Sequence, residues 1–195
     1  MRKGEATRSR ILGEAERQAA VRGLNSVSLN DVADGVGLSK SGLFKHFESK
    51  EAMQEAVLVH ATDRFMGFVW APAVELPPGR ARLEAVFDRW LDWSEVENAA
   101  GGCLIMAAST ELDDQPGPLR DLLQERLSVW ARMLTKEMRA LRDPPLDLDD
   151  ARAAVFQMQS FILGHAQAGR LMGDKNARPA ARAAFLALLD RTAAG

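Results

Sequence analysis

The sequence predicts an all-α fold of about nine helices. Three observations predict it. Apolar residues recur three and four positions apart over most of the chain, the spacing that gathers them on one face of a helix. Gly, Pro and hydroxyl or acidic residues punctuate these periods where helices start and stop. No stretch of useful length alternates apolar and polar residues as a half-buried strand does, and no internal repeat is present.

A first helix is expected from Thr7 to Arg22, with Ile11, Leu12, Ala15 and Ala19 inward and Gly23 as its stop. These residues are mostly small, so Leu24, Val27 and Leu29 are expected to supply bulk. Ser28 suits the N-cap of a second helix, and Asp31 three residues on completes a capping box. Val32 and Val36 share its inner face, and Gly37 ends it in a left-handed conformation. Ser39 caps a third helix, in which Leu43 and Phe47 face inward while Lys40, Ser41, Phe44 and Lys45 face out. Ser49 caps a fourth, expected from Lys50 to near Trp70, with Met53, Val57, Ala61, Phe65 and Phe68 at helical spacing.

Pro72, Pro77 and Pro78 then interrupt the chain. A fifth helix carries Leu83, Val86, Phe87, Trp90 and Leu91 and is broken by Gly101 and Gly102. A short sixth covers Cys103 to Leu112, and the segment from Asp113 to Pro118 is a turn. The seventh has the clearest stripe, from Leu119 to Leu141, with Arg126 its one charge and Pro144 and Pro145 beyond its end. The eighth is expected from Asp149 to Gly173, with Asp147, Asp149 and Asp150 favoured at its positive end, and the ninth from Pro179 to Ala193.

At 195 residues the chain is long enough to bury a real core, and a hydrophobic share of 47% argues against disorder. The net charge of −2 gives no bulk signature for nucleic acid, so any such binding rests on local charge. Residues 1–60 hold 9 Lys and Arg against 8 Asp and Glu; the remainder holds 16 against 19. Arg2, Lys3, Arg8 and Arg10 at the front face only Glu5, which suits a basic arm along a phosphate backbone or simply a solvated terminus. Cys103 is the single cysteine, so no intrachain disulfide forms and a reducing cytoplasm is expected. Neither a signal peptide nor a membrane span is expected, because no apolar run has the length.

Two short helices, a turn containing Gly and a cationic second helix are the pattern of a helix-turn-helix, whose second helix enters the major groove. A plain helical pair with a solvated outer face satisfies the same pattern. The segments TRSRIL at Thr7–Leu12, RGLNSVSLNDVA at Arg22–Ala33 and GLSKSGLFKHFESKEAM at Gly37–Met53 add to it. Together they resemble the DNA-binding domain of the TetR family of bacterial transcriptional regulators. The resemblance covers about the first quarter of the chain. It implies an all-helical homodimer with an N-terminal three-helix domain at residues 1–49 and a ligand-binding and dimerisation domain at 50–195. Two positions depart from the family pattern: Phe44 stands where many members carry Tyr, and Gly42 where many carry a polar β-branched residue.

The expected partners are a pseudo-palindromic double-stranded operator, a small lipophilic effector that releases a repressor from it, and a second copy of the chain. Lys40, Ser41, Phe44 and Lys45 are the candidates for groove and phosphate contacts. Ser28, Ser39 and Lys50 are candidates for phosphates near helix N-termini, where backbone N–H groups also help. Trp90, Met106, Trp130, Met133, Met158, Phe161 and His165 are candidates for an effector pocket; plain core is the competing reading, and for His165 a satisfied core histidine. From Ala153 to Gly169 no Asp, Glu, Lys or Arg occurs, so the eighth helix is expected to be buried nearly all round. Val155, Met158, Ile162 and His165 make one face; Phe161, Gly164, Ala168 and Leu171 make another, which together with Ala181, Phe185, Leu188 and Leu189 is expected at a four-helix dimer interface. A helix buried inside a larger monomeric core is the alternative.

No catalytic constellation is expected: His46, His60 and His165 fall on three separate helices, and no HExxH, CxxC, Walker loop or GxSxG occurs. Asp113 and Asp114, beside Pro and Gly, are expected in a turn, a metal pair being the second reading; neither a metal nor a cofactor is expected. The alternative function is a ligand-binding or interaction protein with the same fold that has lost operator binding.

Overall fold

The computed structural model describes residues 3–97 and 101–194. The described residues form nine α-helices and no strand. They are α1 (Lys3–Arg22), α2 (Leu29–Gly35), α3 (Lys40–Phe44), α4 (Lys50–Phe65), α5 (Arg80–Asp92), α6 (Leu104–Glu111), α7 (Pro118–Arg139), α8 (Leu148–Ala166) and α9 (Ala177–Ala194). Three of these run on into π-helical turns, Met66–Trp70 after α4, Trp93–Glu97 after α5 and Gln167–Leu171 after α8. None of the described helices is long and apolar enough to cross a membrane.

Compactness divides the chain elsewhere than at 49 and 50. One unit comprises Met1–Phe65 with Asn98–Arg126, the other Met66–Glu97 with Leu127–Gly195. The reason for the first lies in α4 and α6, which both pack on α1.

In the first unit α1 lays Ile11, Leu12, Ala15 and Ala19 into the core, where Met53, Val57, Leu58 and Ala61 of α4 meet them. Leu24 and Val27 are buried and add the expected bulk; Leu29 is only half-buried. The loop after α1 is held from two sides. Gly23 has a φ of +89°, and the next two backbone N–H groups, of Leu24 and Asn25, donate to the Glu111 carboxylate of α6 at 2.6 and 2.7 Å. From α4, Gln54 Nε2 donates to the Leu24 carbonyl at 2.9 Å. Arg126 of α7, the single charge on its stripe, donates to Asp63 at 2.9 Å. Glu16 is buried between α1 and α4; burial pushes its carboxyl up although Arg64 donates to it at 2.7 Å.

In the second unit α8 and α9 pack side by side, and α5 lies against both. Phe87 of α5 and Phe185 of α9 stack with ring centroids 4.0 Å apart. Ion pairs edge the same α5–α9 contact: Arg182 with Asp88 at 2.8 Å, Arg178 with Asp92 at 2.8 Å and Arg80 with Asp190 at 2.7 Å.

Within one chain the eighth helix buries one of its two expected faces and leaves the other open. Its face of Val155, Met158, Ile162 and His165 is buried, but Phe156, Leu163 and Leu171 are 71%, 55% and 79% exposed. The expected interface stripe of the ninth helix is corrected. Ala181, Phe185, Leu188 and Leu189 are buried within this chain, so they leave no surface for a second copy. Their shared stripe turns toward α5 and α8, and the outward side of α9 is made of Ala180, Ala183 and Ala187 instead.

Candidate nucleic-acid interface

The turn between α2 and α3 sets the outward helix. Ser28 caps α2 by accepting from the Asp31 N–H at 3.1 Å, while the Asp31 carboxylate stands 3.6 Å from Arg22. At the other end Gly37 takes a φ of +67°. Its N–H donates to the Asp34 carbonyl at 3.2 Å, and the Leu38 N–H to the Ala33 carbonyl at 2.9 Å. This pair of bonds is a Schellman motif, which ends a helix and satisfies its last carbonyls. An added Cβ at Gly37 meets open space, so only the left-handed backbone resists substitution. Gly37→Ala is expected to destabilise the protein by about 1–2 kcal/mol, seen as a lower denaturant midpoint at unchanged slope. A variant as stable as the parent would argue against this turn.

Ser39 then caps α3, its Oγ accepting from the Gly42 N–H at 3.1 Å and lying 3.1 Å from the Ser41 Oγ. Leu43 and Phe47 are buried beneath. Lys40, Ser41 and Lys45 are exposed, and Phe44 keeps 41% of its surface in solvent. Ser39, Lys40, Ser41, Phe44 and Lys45 line one shallow depression. An added Cβ at Gly42 would come within 3.2 Å of the Ser39 Oγ, so a larger residue there presses on the cap.

The structure thus brings five of the seven expected DNA-facing residues together and separates two. Ser28 is engaged at the start of α2, and Lys50 donates its Nζ to the Asn25 carbonyl at 2.5 Å, which holds its charge at the loop after α1. The basic arm is also corrected. Helix α1 begins at Lys3, four residues before the expected start, so Arg8 and Arg10 are helical. The Arg8 guanidinium lies over the Phe47 ring at 4.8 Å, and Arg10 donates to the Val36 carbonyl at 3.0 Å. Both remain exposed, and both pin α1 to the helix-turn-helix, a role that charge counting does not reveal. Arg2 lies outside the described residues.

The effector candidates divide between the two units. Met106 is on α6 in the first. In the second, Trp130 is buried and meets the edges of Trp90 and Trp70 at centroid distances of 5.4 and 5.9 Å. Met133 and Phe161 are half-buried, and Met158 is fully buried. His165 is buried, its Nε2 2.8 Å from a Glu95 oxygen and its Nδ1 3.3 Å from the Ser94 Oγ, the bonding of a satisfied core histidine.

Glu95 also accepts from Arg178 at 2.6 Å. Burial alone raises its pKa, but the bonds from His165 and Arg178 outweigh it and hold the carboxyl below the usual range. A depressed folded-state pKa gives stability that is present above the ordinary carboxylate value and lost as pH falls through the folded one. Glu95→Gln is therefore expected to lower the melting temperature near neutrality and to flatten its decline in acid. Parallel acid limbs for variant and parent would refute this coupling.

Comparison with known proteins fits this geometry. The description "Bacterial regulatory proteins, tetR family" matches residues 11–57, and "Tetracyclin repressor-like, C-terminal domain" matches residues 79–185, more than half of the chain. The chain belongs to the TetR family. Among curated relatives, the transcriptional repressor KstR2 of Rhodococcus jostii is 33% identical over 79 residues, which cover 40% of this chain and 39% of the relative. The transcriptional activator FasR of Mycolicibacterium smegmatis is 30% identical over 88 residues, 45% of this chain and 40% of that one. The TetR-family chain thus spans about two fifths of the length of the curated relatives it matches. Among solved structures, the TetR-family regulator SCO4454 from Streptomyces coelicolor superimposes with a TM-score of 0.82 at 20% identity, covering 95% of this chain and 89% of its own. AibR, solved with isovaleryl coenzyme A and operator DNA, superimposes with a TM-score of 0.73 at 18% identity, covering 93% and 97%. These likenesses establish the fold.

Proposed function

We propose that this TetR-family chain is a sequence-specific DNA-binding regulator, a homodimeric repressor released from a pseudo-palindromic operator by a small lipophilic effector. The observation that carries the reading is the outward side of α3, where Lys40, Ser41, Phe44 and Lys45 form one exposed surface on a capped helix behind a Schellman turn. Hydroxyls and ammonium groups there complement base-edge acceptors and flanking phosphates. Residues 1–49 supply that surface in this reading, and residues 50–195 supply the effector site and the dimer contact.

The dimer reading rests on the exposed apolar side of α8. Phe156, Leu163, Gly164 and Leu171 share it beside the alanine side of α9, and two such sides closing on a two-fold axis would form a four-helix interface. Two-fold symmetry would then present two α3 helices to half-sites about 34 Å apart or a multiple of it. The effector reading rests on Trp90 and Trp130 in edge contact. A ligand acts as a release signal only by binding the DNA-free arrangement better than the DNA-bound one.

A gel shift of the full chain on the DNA upstream of its own gene tests the reading. A discrete complex with a two-fold symmetric footprint is expected, dissociated by an effector that also quenches tryptophan fluorescence. By linkage the operator must weaken that effector by the same factor. Absence of a complex on any upstream fragment, with the effector still bound, would favour the interaction protein that Phe44 and Gly42 allow. Regulated transcripts that fall when the gene is deleted would replace repressor with activator, the sense of the FasR relative.

A further inference from the structure

A second cationic surface lies far along the chain from α3. It is an open groove of about 510 Å³ between the last turns of α7 and the first turns of α8, with Pro145 in its wall. Arg132, Thr135, Lys136, Arg139 and Ala140 line it from α7, and Leu148 and Arg152 from α8. Four of its eight lining residues are cations and none is a carboxylate. Neither Arg132 nor Lys136 makes an ion pair with a described residue. Arg139 donates its Nε to the Leu146 carbonyl at 3.0 Å, which anchors its guanidinium. Arg152 pairs with Asp149 at 3.1 Å, but both are largely exposed and such a pair is weak and screened.

A helix C-terminus favours cations, which accounts for Lys136 and Arg139. It does not account for Arg132, two turns back, or for Arg152, which sits near the positive end of α8. The shape adds a second constraint. Arg132, Lys136 and Arg139 run along one side of α7 over about 10 Å at the helical rise. One carboxylate cannot engage that span, whereas linked phosphates can, and guanidinium forks match them. The remaining lining is carbon: Ala140, Pro145, Leu148 and the stems of the basic side chains.

We infer that this groove binds a small organic polyphosphate bearing an apolar arm, with the phosphates on Arg132, Lys136 and Arg139 and the arm against Pro145 and Leu148. The groove shares no lining residue with the tryptophan cluster and does not depend on the effector reading.

Calorimetric titration of the full chain with geranyl diphosphate, inorganic pyrophosphate, geraniol and decanoate tests it. Geranyl diphosphate is expected to bind at least tenfold more tightly than each of the other three. The Arg132→Ala, Lys136→Ala double variant is expected to lose at least tenfold in that affinity, with an unchanged melting temperature because both residues are exposed and neither makes an ion pair with a described residue. Binding equal to geraniol, or unaffected by the double variant, would overturn the inference by placing the ligand elsewhere. Binding equal to pyrophosphate would reduce the groove to a nonspecific anion contact and overturn it equally. Duplex DNA of random sequence competing through these two residues at the same affinity would show a nucleic-acid surface instead.

Discussion

Replacing Lys40 and Lys45 together with Ala is expected to weaken operator binding by about a thousandfold at 0.15 M salt and to flatten its salt dependence. The size follows from counterion release. Each phosphate contact contributes about 0.9 to the slope of log K against log salt, so two lysines on each protomer of the proposed dimer would contribute about 3.6. Neither lysine makes an ion pair with a described residue, and both are exposed on a helix whose cap is Ser39, so the loss cannot come from unfolding. Ser41→Ala should act differently, relaxing sequence preference while leaving the slope in place, because a hydroxyl neutralises no phosphate. Fluorescence anisotropy across a salt series measures both. A double variant with the parent's slope would remove α3 from the groove.

Gly164→Arg is expected to give a folded monomer. Gly164 is exposed, and a Cβ built on it meets nothing within 4 Å, so the protomer itself accepts the side chain. Replacing a mid-helix Gly also favours the helix by up to roughly 1 kcal/mol. Between two copies of the Phe156, Leu163 and Leu171 side, the same guanidinium would lose water without gaining a partner. That costs several kcal/mol and weakens association by at least about a hundredfold. Operator affinity falls with it, since one half-site then binds alone. Phe185→Ala is the contrasting change: its ring stacks on Phe87 inside the chain, so its removal costs about 3–5 kcal/mol and lowers the melting temperature. Sedimentation reads the two apart. A Gly164→Arg chain that still sediments as a dimer would put the interface elsewhere.

These two variants mark how far the sequence was legible. Helical period, caps and breakers located every helix, because a local pattern of three and four residues decides which face is apolar. Ser28, Gly37 and Ser39 act where they were expected, since capping and a left-handed turn are settled within about five residues of chain. The same locality made the outward residues of α3 legible as a group. It also misled at Lys50 and along the front of α1. There a charge that looked free is held by a carbonyl or a ring 25 or more residues away.

By itself, then, the sequence determined the nine helices of the described residues, their inward stripes and the helix-turn-helix that marks the family, all consequences of short-range periodicity and backbone conformation. Only the tertiary structure decided how each stripe is used. The apolar side of α9 is covered by its own chain while the side of α8 bearing Phe156 and Leu163 is left open, and the sequence pattern of the two is alike. The structure alone also joined Glu111 of α6 to the loop after α1, set the α5–α9 ion pairs, and gathered Arg132, Lys136, Arg139 and Arg152 around one groove. The physical reason is the same in each case. A helical period fixes what a residue's neighbours are three and four positions away, whereas burial and pairing depend on which distant helix arrives opposite it.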